Sequence, residues 1–155
     1  MCYDYILRIQ RQAITQYFKK KSLNKSAQYA LTPYKDNYIL STVCCCFIIP
    51  KDYLLINPAL FKAEFNELTL NNIFDDSNNE ILDTCTLIKD NNFVYRKYIN
   101  DKTETIILSS LVETFEDKHY NIRLTQPKNR NVYAPVLVHY DDLLIGAVMP
   151  TKLYK

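Results

Sequence analysis

Glycine is almost missing from this chain: it occurs once, as Gly146, in 155 residues. Phosphate-cradling loops need several glycines, because only a residue without Cβ lets the backbone close on an anion. The shortage excludes Walker-type nucleotide sites, dinucleotide-binding Rossmann turns and kinase-like glycine loops. It also excludes a Gly-x-Ser-x-Gly nucleophile elbow. Tryptophan is absent, and the only histidines are His119 and His139. No Cys-x-x-Cys pair occurs, so the ligand spacing of a zinc site is missing, and no metal or other cofactor is expected. No apolar run reaches the roughly 18 residues of a membrane-spanning helix. The opening MCYDYILRIQRQ lacks a basic n-region and a long apolar stretch, so no signal peptide and no membrane partner are expected.

What is present fits a single domain over residues 1–155 with a core of its own. The apolar fraction is 48%, and charged residues at 23% are too few for a disordered tail. The net charge of +2 conceals an uneven distribution. Residues 1–25 carry Arg8, Arg11, Lys19, Lys20, Lys21 and Lys25 against Asp4 alone. Residues 60–120 hold six bases and twelve acids, and residues 121–155 are basic again. Basic ends around an acidic middle suggest a face that meets phosphates or an acidic protein; a solvated helix face is the alternative.

The five cysteines are Cys2, Cys44, Cys45, Cys46 and Cys85. An odd count with three in a row fits no disulfide framework, so Cys44–Cys46 is expected as a buried strand in a reducing, cytoplasmic setting. Neighbours on a strand alternate, which places Cys44 and Cys46 on one side and Cys45 on the other. The bias toward Asn, Lys, Ile and Tyr suits a low-G+C genome, such as that of a phage.

Ile6, Ile9, Ala13, Tyr17 and Phe18 recur with helical spacing, which predicts an amphipathic helix over residues 5–20 with a basic outer side. YALT, DNYILST and VCCCFIIP read as three strands, punctuated by Pro33 and the Lys35-Asp36-Asn37 turn. Asn57-Pro58 is a helix start, and Phe61, Phe65 and Leu68 extend that helix to about Leu70. NNIFDDSNNE reads as a loop. Residues 81–88 and 92–99 alternate across Lys89-Asp90-Asn91, a hairpin. Asp101 and Glu104 form a capping box for a helix whose stripe is Leu108, Leu111, Val112 and Phe115. Three strands follow: one around Tyr120, Ile122 and Leu124, then VYAPVLVHY and LLIGAVM. A helix followed by three strands thus occurs at residues 5–50 and again at 101–150. That order predicts an α+β fold of two helix-plus-three-strand units with antiparallel sheet.

The chemical constellations are sparse. Asp75-Asp76 and Asp141-Asp142 are paired carboxylates, which suit a metal or acid–base chemistry, yet both sit where turns are expected. His119 and His139 have no nucleophile in motif context and read as structural or surface residues. Tyr95-Arg96-Lys97-Tyr98 mixes aromatics with bases, as nucleobase-stacking strands do, but alternation presents only half of them to one ligand. A half-exposed edge strand accounts for it. Lys128 and Arg130, in the loop QPKNRN, suit phosphate contact or plain solubility.

The C-terminal third resembles the last segment of bacterial DNA polymerase sliding clamps. Its run is ETIILSSLVETF, YNIRLTQ and then APVLVHYDDLLIGAVMPTKL, and the matching residues are Pro135, Val136, Leu137, Val148, Met149, Pro150, Lys152 and Leu153. The segment YALTPYKDNYILSTVCCCFIIP is similar to clamp-type strands in outline. The resemblance implies a clamp-like domain built from two helix-plus-sheet units. It implies that helices present bases to the DNA backbone, a role open to Arg8, Arg11, Lys19, Lys20 and Lys21. It further implies an apolar peptide-receiving wall formed by Met149, Pro150 and Leu153.

The expected function is therefore a non-enzymatic, phage- or mobile-element-type binding protein that contacts DNA or a protein of replication or repair. One alternative is a small anti-defence inhibitor that blocks a host immune effector, with the acidic stretch Asp75–Glu80 imitating phosphate charge. Another is a virion-associated structural protein. Self-association is left open.

Overall fold

The computed structural model of the protein describes residues 4–22, 29–42, 44–62, 65–74, 78–100, 103–127 and 134–151. Among them are three α-helices and nine strands, an α+β content dominated by antiparallel strand pairs. No described helix is long and apolar enough to cross a membrane. Contacts divide the chain into two units, Met1–Leu70 and Asn71–Lys155. Asp75, Asp76, Asp101, Lys128, Arg130, Lys152 and Leu153 lie outside the described residues.

The first unit begins with α1 (Asp4–Ser22), a stretch free of glycine and proline. Tyr5, Ile6, Ile9, Gln10 and Ala13 form its buried stripe, as helical periodicity requires. Phe18, expected on that stripe, is instead 56% exposed. A meander follows: β1 (Ala30–Tyr34), β2 (Asn37–Ser41) and β3 (Cys45–Pro50). Tyr34 pairs with Asn37, so the turn is the dipeptide Lys35-Asp36, with Lys35 at φ 53°. Pro33 does not separate strands but lies within β1, exposed on the outer strand of the meander, where its missing N–H costs no ladder bond.

Cys44 departs from expectation. The Thr42 hydroxyl accepts from the N–H groups of Cys44 (3.4 Å) and Cys45 (3.3 Å), holding a bend that leaves Cys44 exposed ahead of the strand. Cys45 and Cys46 are buried, and the described cysteines Cys44, Cys45, Cys46 and Cys85 are free thiols.

The segment after β3 is irregular, and one side chain organises it. Gln10 is 2% exposed, and its amide is fully used. Its Nε2 donates to the Tyr53 carbonyl at 3.0 Å and to the Ile6 carbonyl at 3.3 Å. Its Oε1 accepts from the N–H of Leu55 at 2.6 Å and of Ile56 at 3.3 Å. Backbone groups without sheet or helix partners are thus satisfied from α1.

The helix expected over 58–70 is broken in two. The Asn57 cap is real, its Oδ1 accepting from Ala59 N at 3.0 Å, but it starts only the 3₁₀ turn Pro58–Leu60. Asn66 then caps afresh, accepting from Thr69 N at 2.8 Å, and α2 (Glu67–Ile73) follows. Leu68, expected on the buried stripe, is 70% exposed, whereas Leu70 and Phe74 are buried. The expected NNIFDDSNNE loop is therefore helical at its start, and the strand that follows takes its end.

The second unit holds β4 (Asn78–Asp90), β5 (Phe93–Ile99), β6 (Glu104–Leu108), α3 (Ser109–Phe115), β7 (Ile122–Pro127), β8 (Val136–Tyr140) and β9 (Leu143–Val148). Its strands lie in the order β9-β8-β7-β4-β5-β6. Among the described residues, 5–50 hold the expected helix and three strands, and 101–150 hold α3 and three strands preceded by β6, where the helix was expected to begin. The β4–β5 turn is Asn91-Asn92 in place of the expected Lys89-Asp90-Asn91, with φ 48° and 71°. Both residues are left-handed, which is the tight turn whose twist matches a hairpin. β4 is interrupted between Asp83 and Leu87 by a bulge with Cys85 at φ 59°. Side chains support it: Asp83 Oδ1 accepts from Cys85 N at 2.8 Å, and the Thr84 hydroxyl donates to Lys97 O at 2.8 Å.

The capping-box reading of Glu104 is overturned: ETIIL is β6, and α3 begins only at Ser109. β-Branched residues fill this run, and burial alternates, with Thr105 at 1% and Ile107 at 0% between more open neighbours. Asn100 Oδ1 accepts from Thr103 N at 3.0 Å, just ahead of the strand. β5 consequently lies between β4 and β6, not at an edge. Val112 and Phe115 of α3 are buried, and the Tyr140 hydroxyl donates to the Phe115 carbonyl. The Tyr140 ring stacks on Tyr120 with centroids 4.9 Å apart. The chain leaving β9 bonds to β6 through Thr151 N and the Ile106 carbonyl, at 2.7 Å.

Replacing Gln10 by Ala is expected to lower stability by about 3 kcal/mol. The change strands the Tyr53 carbonyl and the N–H groups of Leu55 and Ile56, and an unsatisfied buried polar group costs roughly 1–3 kcal/mol. Urea unfolding of the two proteins measures it; a loss under about 0.5 kcal/mol, the size of an ordinary surface substitution, contradicts the assigned role.

Candidate nucleic-acid interface

The buried stripe of α1 decides which of its side chains meet water. Gln10 and Tyr5, whose hydroxyl donates to the Ile48 carbonyl of β3 at 3.4 Å, fix the helix's rotation. Asp4, Arg8, Arg11, Gln12, Thr15 and Lys19 then fall on the outer side at helical spacing. Arg11 and Lys19 are exposed, and Arg8 is half-exposed. Arg8 and Arg11 share one side because residues three apart are surface neighbours. Of Lys20 and Lys21 the backbone alone is described, as the end of α1.

Arg8 and Arg11 line an open cleft of about 650 Å³ together with Leu7, Gln12, Thr15 and Tyr29, and Asp4 also borders it. Tyr29 immediately precedes β1 and is half-buried. Burial pushes its hydroxyl pKa up, and the Cys45 sulfur adds to the shift. Sequence reasoning did not single out Tyr29; the signal was an aromatic residue just ahead of a strand and four residues after Lys25.

A second, smaller cleft of about 330 Å³ belongs to the second unit. Glu80, Asp83, Glu116, Asp117, Arg96 and Arg123 supply its charges, and Tyr98 and Tyr120 are among its rings. Arg96 is the base of the aromatic–basic strand, and it is committed to protein partners. Its Nη1 reaches Glu116 Oε1 at 2.6 Å, its Nη2 lies 3.6 Å from Glu113 Oε1, and its Nε donates to Ser109 Oγ at 3.0 Å. Burial opposes the Arg96 charge, but the bond and charge of Glu116 prevail and raise its pKa. Lys97 pairs with Glu104 at 2.9 Å. Arg123 donates to the Asp141 carbonyl at 3.2 Å, with Asp142 3.9 Å away. The strand Tyr95–Tyr98 thus ties α3 and β6 to the sheet.

The remaining candidates have structural positions. Asp141-Asp142 is the two-residue turn between β8 and β9, with Asp141 at φ 52°. His139 is buried, and its Nε2 lies 3.0 Å from the Thr125 hydroxyl. His119 is exposed, its backbone N–H held by Asp117 Oδ1 at 2.8 Å. Met149 is 40% exposed and Pro150 half-buried, between β9 and the Thr151–Ile106 bond; neither lines either cleft. No cluster of three or more His, Cys, Asp or Glu side chains placed to hold a metal occurs among the described residues.

Cys45 gives the first unit a pH signature. Burial is the main cause that pushes its thiol from 9.0 up to about 11. Below about pH 9 the thiol is neutral in the folded and unfolded chain alike. Between pH 9 and 11 the unfolded chain ionises first, so stability falls as pH rises, by up to about 1.4 kcal/mol for each step of one in pH. Chemical denaturation across that range is expected to show a steeper loss for the native chain than for Cys45→Ala, by about 2 kcal/mol in total. Equal slopes contradict the buried thiol. No family model matches this chain, and no curated protein or solved structure matches it either.

Proposed function

We propose that the protein is a non-enzymatic binding protein whose α1 presents a basic face to the DNA backbone. The observation that carries this reading is the outer side of α1, where Arg8 and Arg11 border the larger cleft and Lys19 extends the same face. Phosphate contacts need positive charge at helical spacing and no base readout, which is what this face offers. The clamp-like reading draws support from element order, since α1-β1-β2-β3 and α3-β7-β8-β9 each run helix then meander. In it, α3 takes no part in phosphate contact, because Glu113 and Glu116 are paired with Arg96. The protein contact falls to the Met149-Pro150 end, where the exposed Met149 offers an apolar side chain to a replication or repair protein.

A second reading has an observation of its own. Glu80, Asp83, Glu116 and Asp117 gather at the smaller cleft, a carboxylate-rich wall suited to an inhibitor that occupies a basic protein surface.

Fluorescence anisotropy with a labelled hairpin duplex separates the two. Duplex affinity is expected to fall steeply between about 50 and 200 mM salt. Changing Arg8, Arg11 and Lys19 together to Ala should flatten the log–log slope by about 3, roughly 0.9 for each lost contact. A slope near zero for the native chain, or one that the triple variant leaves intact, overturns the proposal.

A further inference from the structure

A duplex backbone makes use of the guanidinium groups at the larger cleft but leaves its aromatic ring idle. The bases of a duplex are stacked inside it and cannot reach a tyrosine beside α1. The cleft is concave, holds about 650 Å³, and brings a half-buried phenol, an aliphatic wall and two arginines together. Leu7, the wall residue, is 44% exposed, an apolar side chain open to solvent within the cleft. Stacking platforms flanked by bases are how proteins hold unpaired strands, since every base has a π-face and every linkage a charge.

We infer that this cleft is a seat for single-stranded nucleic acid, with one base stacked on Tyr29 against Leu7 and the adjoining phosphate held by Arg8 and Arg11. The inference deepens the proposed function and rests on it, because the same face of α1 supplies the charge. Asp4 stands at the same cleft and repels phosphate, which confines the backbone to the Arg8–Arg11 side. The smaller cleft does not compete for this role: Glu80, Asp83, Glu116 and Asp117 outnumber Arg96 and Arg123 there and repel phosphate. The chemistry is shared by DNA and RNA, since stacking and phosphate pairing ignore the sugar.

The test compares three labelled probes on the full chain: oligothymidylate and oligouridylate of about 12 nucleotides, and a hairpin duplex of similar charge. At least one single strand is expected to bind about tenfold tighter than the duplex. Tyr29→Ala should weaken single-strand binding by about tenfold, within the range of one lost stack, and leave duplex binding unchanged. Tyr29→Phe should restore it, because the ring and not the hydroxyl carries the contact. Leu7→Glu supplies a variant at a solvent-open position, so that a Tyr29→Ala chain lacking native circular dichroism does not end the test; it should weaken single-strand binding at least as much. Equal affinity for all three probes, with Tyr29 and Leu7 variants unchanged, overturns this inference while the basic-face reading stands. Absence of binding to every probe overturns both.

Discussion

The orientation of α1 depends on one buried amide. Gln10 sits where a helix facing a sheet normally places Leu or Ile, and it meets backbone groups of residues 53, 55 and 56 that no ladder satisfies. A buried amide with every bond made is directional in a way that apolar packing is not. A rotation of α1 by one residue strands all of these groups at once. That constraint turns Arg8, Arg11 and Thr15 toward solvent and sets them beside Tyr29. The basic face is thus a consequence of how the irregular segment after β3 is satisfied.

Scarcity of glycine shapes the rest. Tight hairpins need residues with positive φ, usually supplied by glycine. This chain supplies Lys35, Asn91, Asn92 and Asp141 instead, with φ between 48° and 71°. Asn and Asp tolerate the left-handed region because their short side chains bond locally. Lys35 has no such help; its ammonium lies 5.1 Å from the centre of the Tyr34 ring, a cation–π contact that fixes the same turn. Two-residue turns at Lys35-Asp36, Asn91-Asn92 and Asp141-Asp142 hold the register of the strands they join, and register in turn fixes which residues reach each face.

Much of this was legible in the sequence, and the failures have specific causes. The first helix, the three strands after it and the last three strands follow from periodicity, because each has one strongly preferred face or a continuous apolar run. The segment 101–115 misled because Asp101 and Glu104 have capping-box spacing while Thr105, Ile106 and Ile107 have strand propensity. Pairing with β5 decides for the strand. The segment 57–73 misled because two Asn caps compete, at Asn57 and Asn66, and single-sequence spacing cannot rank them. Of the site, Arg8, Arg11 and Lys19 were legible as a charge pattern on a helix. Tyr29 and Gln10 were not. Tyr29 joins the cleft through tertiary contact, and a polar residue on a helix gives no sign of being buried until its partners are known. At Tyr95–Tyr98 the expected edge strand is an inner one, because β6 forms where a helix was expected, and Glu104, Glu113 and Glu116 pair with its bases.

The central claim is that Gln10 turns one face of α1 outward and that this face is where ligand binds. Amide-resolved NMR during titration with a short oligonucleotide tests it most directly. The account predicts shifts concentrated at Arg8, Arg11, Gln12, Thr15 and Tyr29, with Arg96, Glu116 and Arg123 silent. Shifts gathered around Glu80, Asp83 and Glu116, with α1 unmoved, contradict it.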